Sequence, residues 1–363
     1  MNRRAFLRTA AAASASLALP MRGRALADDK SSGWRTFEVT THVEVLRPKG
    51  ATRVWLPTPL TVATPYQRPL GNVFAAENGG RVAIHDEAST ATGIVSAEWP
   101  DGAAPVLTLT SRVATTDYST DLTEPPARHA ALSRAALAPY LEPSRLVPVD
   151  GIVKTTSDAI TRGARTDVEK ARAIYEWIVE NTFRDPATRG CGVGDIRFML
   201  ESKNLSGKCA DLNALYVGLA RAAGLPARDV YGLRVAPSTR GFKSLGVATS
   251  NVSTAQHCRA EVFLAGYGWT PVDPADVRKV VLEEPPGRLT LDSEPARRAR
   301  TRLFGSWEMN WIAYNFSHDV ALPGATGAPI PFFMYPEGAT SEGRLDPLEP
   351  AAFRYDISAR EIA

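Results

Sequence analysis

Cysteine is scarce in this chain. There are three in 363 residues, at 191, 209 and 258, and no two fall in a C-x-x-C pair. With no paired-histidine spacing either, a structural zinc site and a dense disulfide framework are both excluded. Beyond residue 27 no apolar run reaches the length of about 18 residues that a membrane helix needs. The glycine-rich stretch Arg189-Gly190-Cys191-Gly192-Val193-Gly194-Asp195 lacks the Lys-Ser/Thr and the preceding strand of a phosphate loop. No cofactor or metal is therefore expected. Net positive charge is also absent from the body of the chain. The net charge is +3, but residues 1–27 hold five arginines and no acid, so without them it becomes −2. The basic balance belongs to that segment and gives no reason to expect nucleic acid as a partner.

The same segment reads as a targeting sequence. Arg3-Arg4-Ala5-Phe6-Leu7-Arg8 is a twin-arginine word, a short Ala/Ser/Leu stretch follows, and Ala25-Leu26-Ala27 is a small-x-small cleavage site. Export by the twin-arginine route to a periplasmic or secreted location is expected, with no stable membrane insertion once the signal is removed.

The rest is long enough for two domains. Residues 28–125 read as an N-terminal β domain: Trp34–Val45 alternates, Arg53–Pro57 is strand-like, and Val82–Ile84, Gly93–Trp99 and Pro105–Val113 continue the pattern between turn residues, as in a β-sandwich. Residues 126–152, rich in Pro and Ala, read as a linker. From Val153 helical spacing begins, with a capping box at Thr166 and Glu169.

Chemistry concentrates between Ser206 and Asp273. Residues 208–223 are apolar around most of a helix circumference, ending at Gly224-Leu225-Pro226. With Ser206 as N-cap, Cys209 lies in the first turn, where the dipole and free N–H groups favour thiolate. Arg259–Leu264 and Trp269–Asp273 read as paired strands. A three-residue loop at 265–267 would pair Leu264 with Gly268 and set His257 opposite Ala275. Asp273 would then share a sheet face with His257, and Cys258 would point to the other.

A buried helix opening on a cysteine, followed by a hairpin bearing histidine and aspartate, resembles the transglutaminase-like superfamily of papain-like thiol enzymes. The matching words are Gly207-Lys208-Cys209-Ala210-Asp211, Arg221-Ala222-Ala223-Gly224-Leu225-Pro226-Ala227-Arg228 and Gly268-Trp269-Thr270-Pro271-Val272-Asp273-Pro274. The resemblance implies an α+β fold, with an N-terminal β-sandwich-like domain followed by a papain-like catalytic core at 153–290. It implies Cys209 as nucleophile, His257 as base and acid, and Asp273 as the group that orients the imidazole. The expected activity is thiol-dependent acyl transfer or hydrolysis at amide bonds of a protein or peptide. A peptidase or amidase acting on peptide or peptidoglycan-type substrates uses the same residues, and a non-catalytic peptide-binding module is the alternative of another class. The chain departs from the common His-Ala-Trp at the histidine, having His257-Cys258-Arg259.

Cys191 and Cys258 could pair or stand as separate thiols, and separate thiols are expected. Residues 291–363 read as an extension packed on the core. Within it Arg297–Arg302 is a solvated helix face, the aromatic stretch from Phe304 to Phe316 is core or cleft wall, and His318-Asp319 is a possible second base.

Overall fold

The computed structural model describes residues 33–123 and 132–362. The expected leader, residues 1–27, and residues 126–131 of the expected linker lie outside the described residues. The chain is α+β. Two antiparallel sheets face each other at the N-terminal end. One has the strand order Phe353–Ile362, Arg35–Val45, Val106–Thr115, Gln67–Ala76; the other runs Gly343–Leu345, Glu337–Thr340, Thr52–Pro57, Thr92–Trp99, Arg81–Glu87. Strict alternation along Arg35–Val45 buries every second residue from Phe37 to Val45. That single face serves two cores. Val43 and Val45 pack between the sheets with Val54, Val95, Trp99 and Leu107. Phe37 and Val39 pack against Leu233, Ile312 and Tyr314 of the next sheet. The sandwich is thereby fused to the part of the molecule that carries the site.

The segment 291–363 does more than pack on the core. Its last strand pairs along the whole of Arg35–Val45, from Thr36 with Ile362 to Val45 with Phe353, and Glu337–Thr340 pairs with Thr52–Pro57. The reason is in the pattern: Phe353, Tyr355, Ile357 and Ala359 alternate with polar residues and supply the apolar face that an edge strand at Arg35–Val45 would otherwise lack. Trp307 and Trp311 are fully buried, so the aromatic stretch is core and not cleft wall.

The remaining sheet is antiparallel, in the order Gly268–Val272, Arg259–Leu264, Ala227–Arg234, Trp311–Asn315. Helix Cys209–Ala222 lies against it with all of its residues buried, as its unbroken apolar character requires. Helices Gly151–Thr161 and Asp167–Asn181 pack in turn on that helix. The second carries the capping box, with Glu169 N–H donating to Thr166 Oγ1 at 3.1 Å and Thr166 N–H to Glu169 at 3.1 Å. Ala223 and Gly224 end helix Cys209–Ala222, Gly224 at φ +83, and Leu225 N–H returns to Ala220 O. No helix among the described residues is long and apolar enough to cross a membrane.

Candidate active site

Cys209 is the first residue of its helix. The expectation that Ser206 caps it is corrected. Ser206-Gly207 pairs in parallel with Phe183-Arg184, so the chain enters extended and Lys208 becomes the N-cap. The displacement places the thiol nearer the positive end of the helix dipole than a first-turn position further in would. Asp211 fastens this helix start to the glycine loop: one oxygen accepts Lys208 N–H at 2.9 Å, the other accepts Val193 and Gly194 N–H, each at 2.9 Å. A Cβ on Gly192, at φ +97, would lie 1.9 Å from an Asp211 oxygen, and one on Gly207 would lie 2.4 Å away. Both glycines are thus dictated by the carboxylate they wrap. Ala210 N–H donates to Cys191 O at 2.9 Å. The N–H of Cys209 has no such partner among the described residues, which leaves it for an oxyanion.

The hairpin has the three-residue loop, with Leu264 opposite Gly268 and Ala260 opposite Val272. The ladder stops there, so His257 does not stand opposite Ala275. Instead its N–H donates to Gly232 O at 2.9 Å and its carbonyl accepts from Trp311 Nε1 at 2.8 Å. Opposite it, the chain turns at Asp273 into helix Pro274–Glu283, with Asp273 as N-cap. This turn brings the carboxylate to the imidazole: His257 Nε2 and Asp273 Oδ2 are 2.8 Å apart. Asp273 Oδ1 accepts the cap bond from Asp276 N–H at 3.0 Å and another from Asn213 Nδ2 at 3.2 Å. Asn213 sits one turn past Cys209 on the same helix, so Cys209 and the Asp273 carboxylate are tied to one rigid element. With Nε2 engaged by Asp273, Nδ1 is the nitrogen left for the thiol, and both His257 and Cys209 line one cleft.

Cys258, expected on the sheet face opposite His257, directly precedes the first strand residue, Arg259. The three cysteines are free, buried and packed in one cluster. Hydrogen bonds from the Cys191 and Cys258 thiols, and then the imidazole, outweigh burial and hold Cys209 well below the ordinary thiol range. The Cys191 thiol itself donates to Gln256 O at 3.3 Å.

Sequence reasoning missed Asp276, Arg234 and Asn213. Asp276 Oδ1 lies 3.4 Å from His257 Nε2, and Arg234 Nη2 holds both Asp276 oxygens at 2.6 and 2.8 Å. Burial and the Arg234 charge oppose protonation of His257, but the charges of Asp276 and Asp273 prevail, and its pKa is pushed up to about 10. Burial likewise raises Asp276, yet Arg234, His257 and Arg259 hold it well below the carboxylate range. Burial and the Asp276 charge push Asp273 up. Arg259 lies 3.6 Å from Asp273, with its guanidinium over the rings of Trp311 and Trp307. His257, Asp273 and Asp276 have the donor set of a cation site, but these two guanidiniums already balance the carboxylates, so no metal role is assigned. The i+3 spacing from Asp273 to Asp276 was the one available signal, and it reads equally as an ordinary first-turn acid.

A cleft of about 550 Å³ opens on Cys209 and His257, and Gly190 and Cys191 of the glycine loop line it. His318 is elsewhere. Its Nδ1 is 2.8 Å from Ser144 Oγ and its Nε2 2.8 Å from Asp229 Oδ2. The cavity beside this Ser-His-Asp chain holds only about 10 Å³, room for one water at most. It clasps the segment around Ser144 to the sheet and is not a second base.

Comparison with known proteins bears on the family and the fold. Residues 154–274 match the transglutaminase-like superfamily. A Haemophilus influenzae protein described only as uncharacterized is 39% identical over 232 residues, covering 61% of this chain, and the chain spans 62% of that relative's length. A solved structure of a candidate cysteine protease from Cytophaga hutchinsonii has the same fold, with TM-score 0.51 and 16% identity over 91% of this chain and 99% of that one. The periplasmic domain of TgpA from Pseudomonas aeruginosa is 17% identical over 63% of this chain and 90% of that one, at TM-score 0.33.

Proposed function

Through residues 154–274 the chain belongs to the transglutaminase-like superfamily, and from that premise we propose that it is a thiol enzyme acting at amide bonds of peptides or proteins. Cys209 is the nucleophile, His257 the acid and base, and Asp273 the orienting carboxylate. One observation carries the reading. A buried cysteine at a helix start lines one cleft with a buried imidazole whose Nε2 is 2.8 Å from a buried carboxylate. That arrangement matches the needs of acyl transfer.

The Cys209 thiolate attacks the amide carbonyl, and the carbonyl electron pair moves to oxygen beside the Cys209 N–H. Collapse expels the amine, which takes its proton from the His257 imidazolium and leaves a thioester. Neutral His257 then removes a proton from water or from an incoming amine. Attack on the thioester releases the acid or the new amide and restores the thiolate–imidazolium pair. The expected leader would place this chemistry in the periplasm or outside the cell, where peptidoglycan peptides and exported proteins supply amides.

The test is release of ammonia or amine from a panel of amides, followed across pH. On the acid side the rate falls as Cys209 takes up a proton, well below the ordinary thiol range. On the alkaline side it falls as His257 loses its proton through about 10, because the leaving amine loses its acid. A broad plateau across neutral pH is expected. Asp276→Asn removes a carboxylate that holds the proton on His257, so its alkaline limb should move to lower pH. An alkaline limb indifferent to Asp276→Asn would count against this role for His257.

A further inference from the structure

The cleft above Cys209 is lined by four basic residues, Arg184, Lys208, Arg234 and Lys279, and by no acidic one. Their charges are unequally matched. Arg234 is spent on Asp276. Arg184 and Lys279 both pair with the same carboxylate, Glu283, so two cations share one anion and a positive charge is left over. Lys208, half-buried and adjacent to the nucleophile in sequence, has no carboxylate partner among the described residues. Burial, with the Arg184 charge next, pushes Lys279 down from the usual lysine range, as expected of an ammonium short of counter-charge. In a walled cleft such an excess acts on a ligand more strongly than the same charges on an open surface.

Resting on the thiol-enzyme reading, we propose that this cleft selects an amide substrate that carries a free carboxylate close to the scissile bond, with Lys208 and the Arg184–Lys279 pair as its receptors. A carboxylate supplies the anion that Glu283 can only half provide. It also gives a bidentate acceptor to the Arg184 fork and a point charge to either lysine. The same field repels a protonated amine, so water is favoured as the acceptor in the second step and hydrolysis over transfer.

The experiment uses folded Cys209→Ala protein, which binds without turning over. Affinity is measured by calorimetry for two pools of N-acetyl tripeptides that differ only in bearing free carboxylates or carboxamides. The carboxylate pool is expected to bind at least about tenfold tighter. The preference should shrink toward parity on adding Lys208→Gln, and again in about 0.5 M salt, where screening acts over only a few ångströms. If Lys208→Gln fails to fold, Arg184→Gln/Lys279→Gln and the salt series carry the same reading. Equal affinity for the two pools, or a preference that survives both the substitutions and the salt, overturns the proposal. The two failures are distinguishable, because a preference measured without Cys209 does not depend on the thiol chemistry.

Discussion

Cys209→Ala is expected to abolish turnover, by on the order of 10⁴-fold or more, while the far-ultraviolet dichroism and unfolding midpoint stay close to those of the parent. Alanine is small and apolar and is the best helix former, and Cys209 stands at the first position of a fully buried helix. His257→Ala should cost nearly as much, since the thiolate loses its partner and the leaving amine its acid. The double variant should be no worse than Cys209→Ala alone, because the two side chains act as a unit. Asp273→Asn should fall between these and the parent. It leaves the nucleophile, but it disturbs the imidazole tautomer and weakens the cap bond from Asp276 N–H. His318→Ala should retain activity, because its partners are Ser144 and Asp229. Ammonia or amine release from the amide panel measures all of these. Full activity in folded Cys209→Ala would end the account.

The second large effect is on stability. Arg234 is almost wholly buried, holds Asp276 with one amino group and gives another to Leu245 O at 2.6 Å. Arg234→Met keeps much of the volume but leaves Asp276 without its main counter-charge, beside Asp273. Breaking a buried pair in this way costs about 3–5 kcal/mol. The loss should grow with pH. Without Arg234, the folded-state pKa of Asp276 rises above its unfolded value, so the folded state binds the extra proton at low pH and that compensation disappears as pH rises. Urea unfolding at mildly acidic and mildly alkaline pH measures the difference. Adding Asp276→Asn to Arg234→Met should recover part of the stability and flatten the pH dependence. An Arg234→Met variant within about 1 kcal/mol of the parent at both pH values, close to the range of ordinary surface changes, would show that Arg234 is not the counter-charge that matters.

What could be read from the sequence was local. The helix after Cys209 was legible because its residues are apolar all round and end at Gly224-Leu225-Pro226. The loop at 265–267 was legible because Leu264 and Gly268 bracket a Gly-containing turn. The sandwich was legible where strands alternate, as in Arg35–Val45. Gln67–Ala76 was not, because it is an exposed edge strand with an irregularity between Pro69 and Gly71, and little in it alternates. The pairing of Phe353–Ile362 with Arg35–Val45 joins residues more than 300 apart in sequence, and no local pattern names such a partner. At the site, chain order pointed to Cys209, His257 and Asp273, while Asp276, Asn213 and Arg234 emerge only from the fold. The turn into helix Pro274–Glu283 puts a second carboxylate on the imidazole, and the strand Ala227–Arg234 brings the guanidinium that keeps it ionised.

The ionisation of Cys209 tests the central claim most directly. The ultraviolet absorbance of the thiolate, taken as the difference between the parent and Cys209→Ala, is followed as pH is lowered from neutral. The thiolate is predicted to be present at neutral pH and to persist well below the ordinary thiol range, until the pair with His257 is broken by acid. A difference signal that appears only as pH rises through about 8.5, the value of an unperturbed thiol, would contradict it.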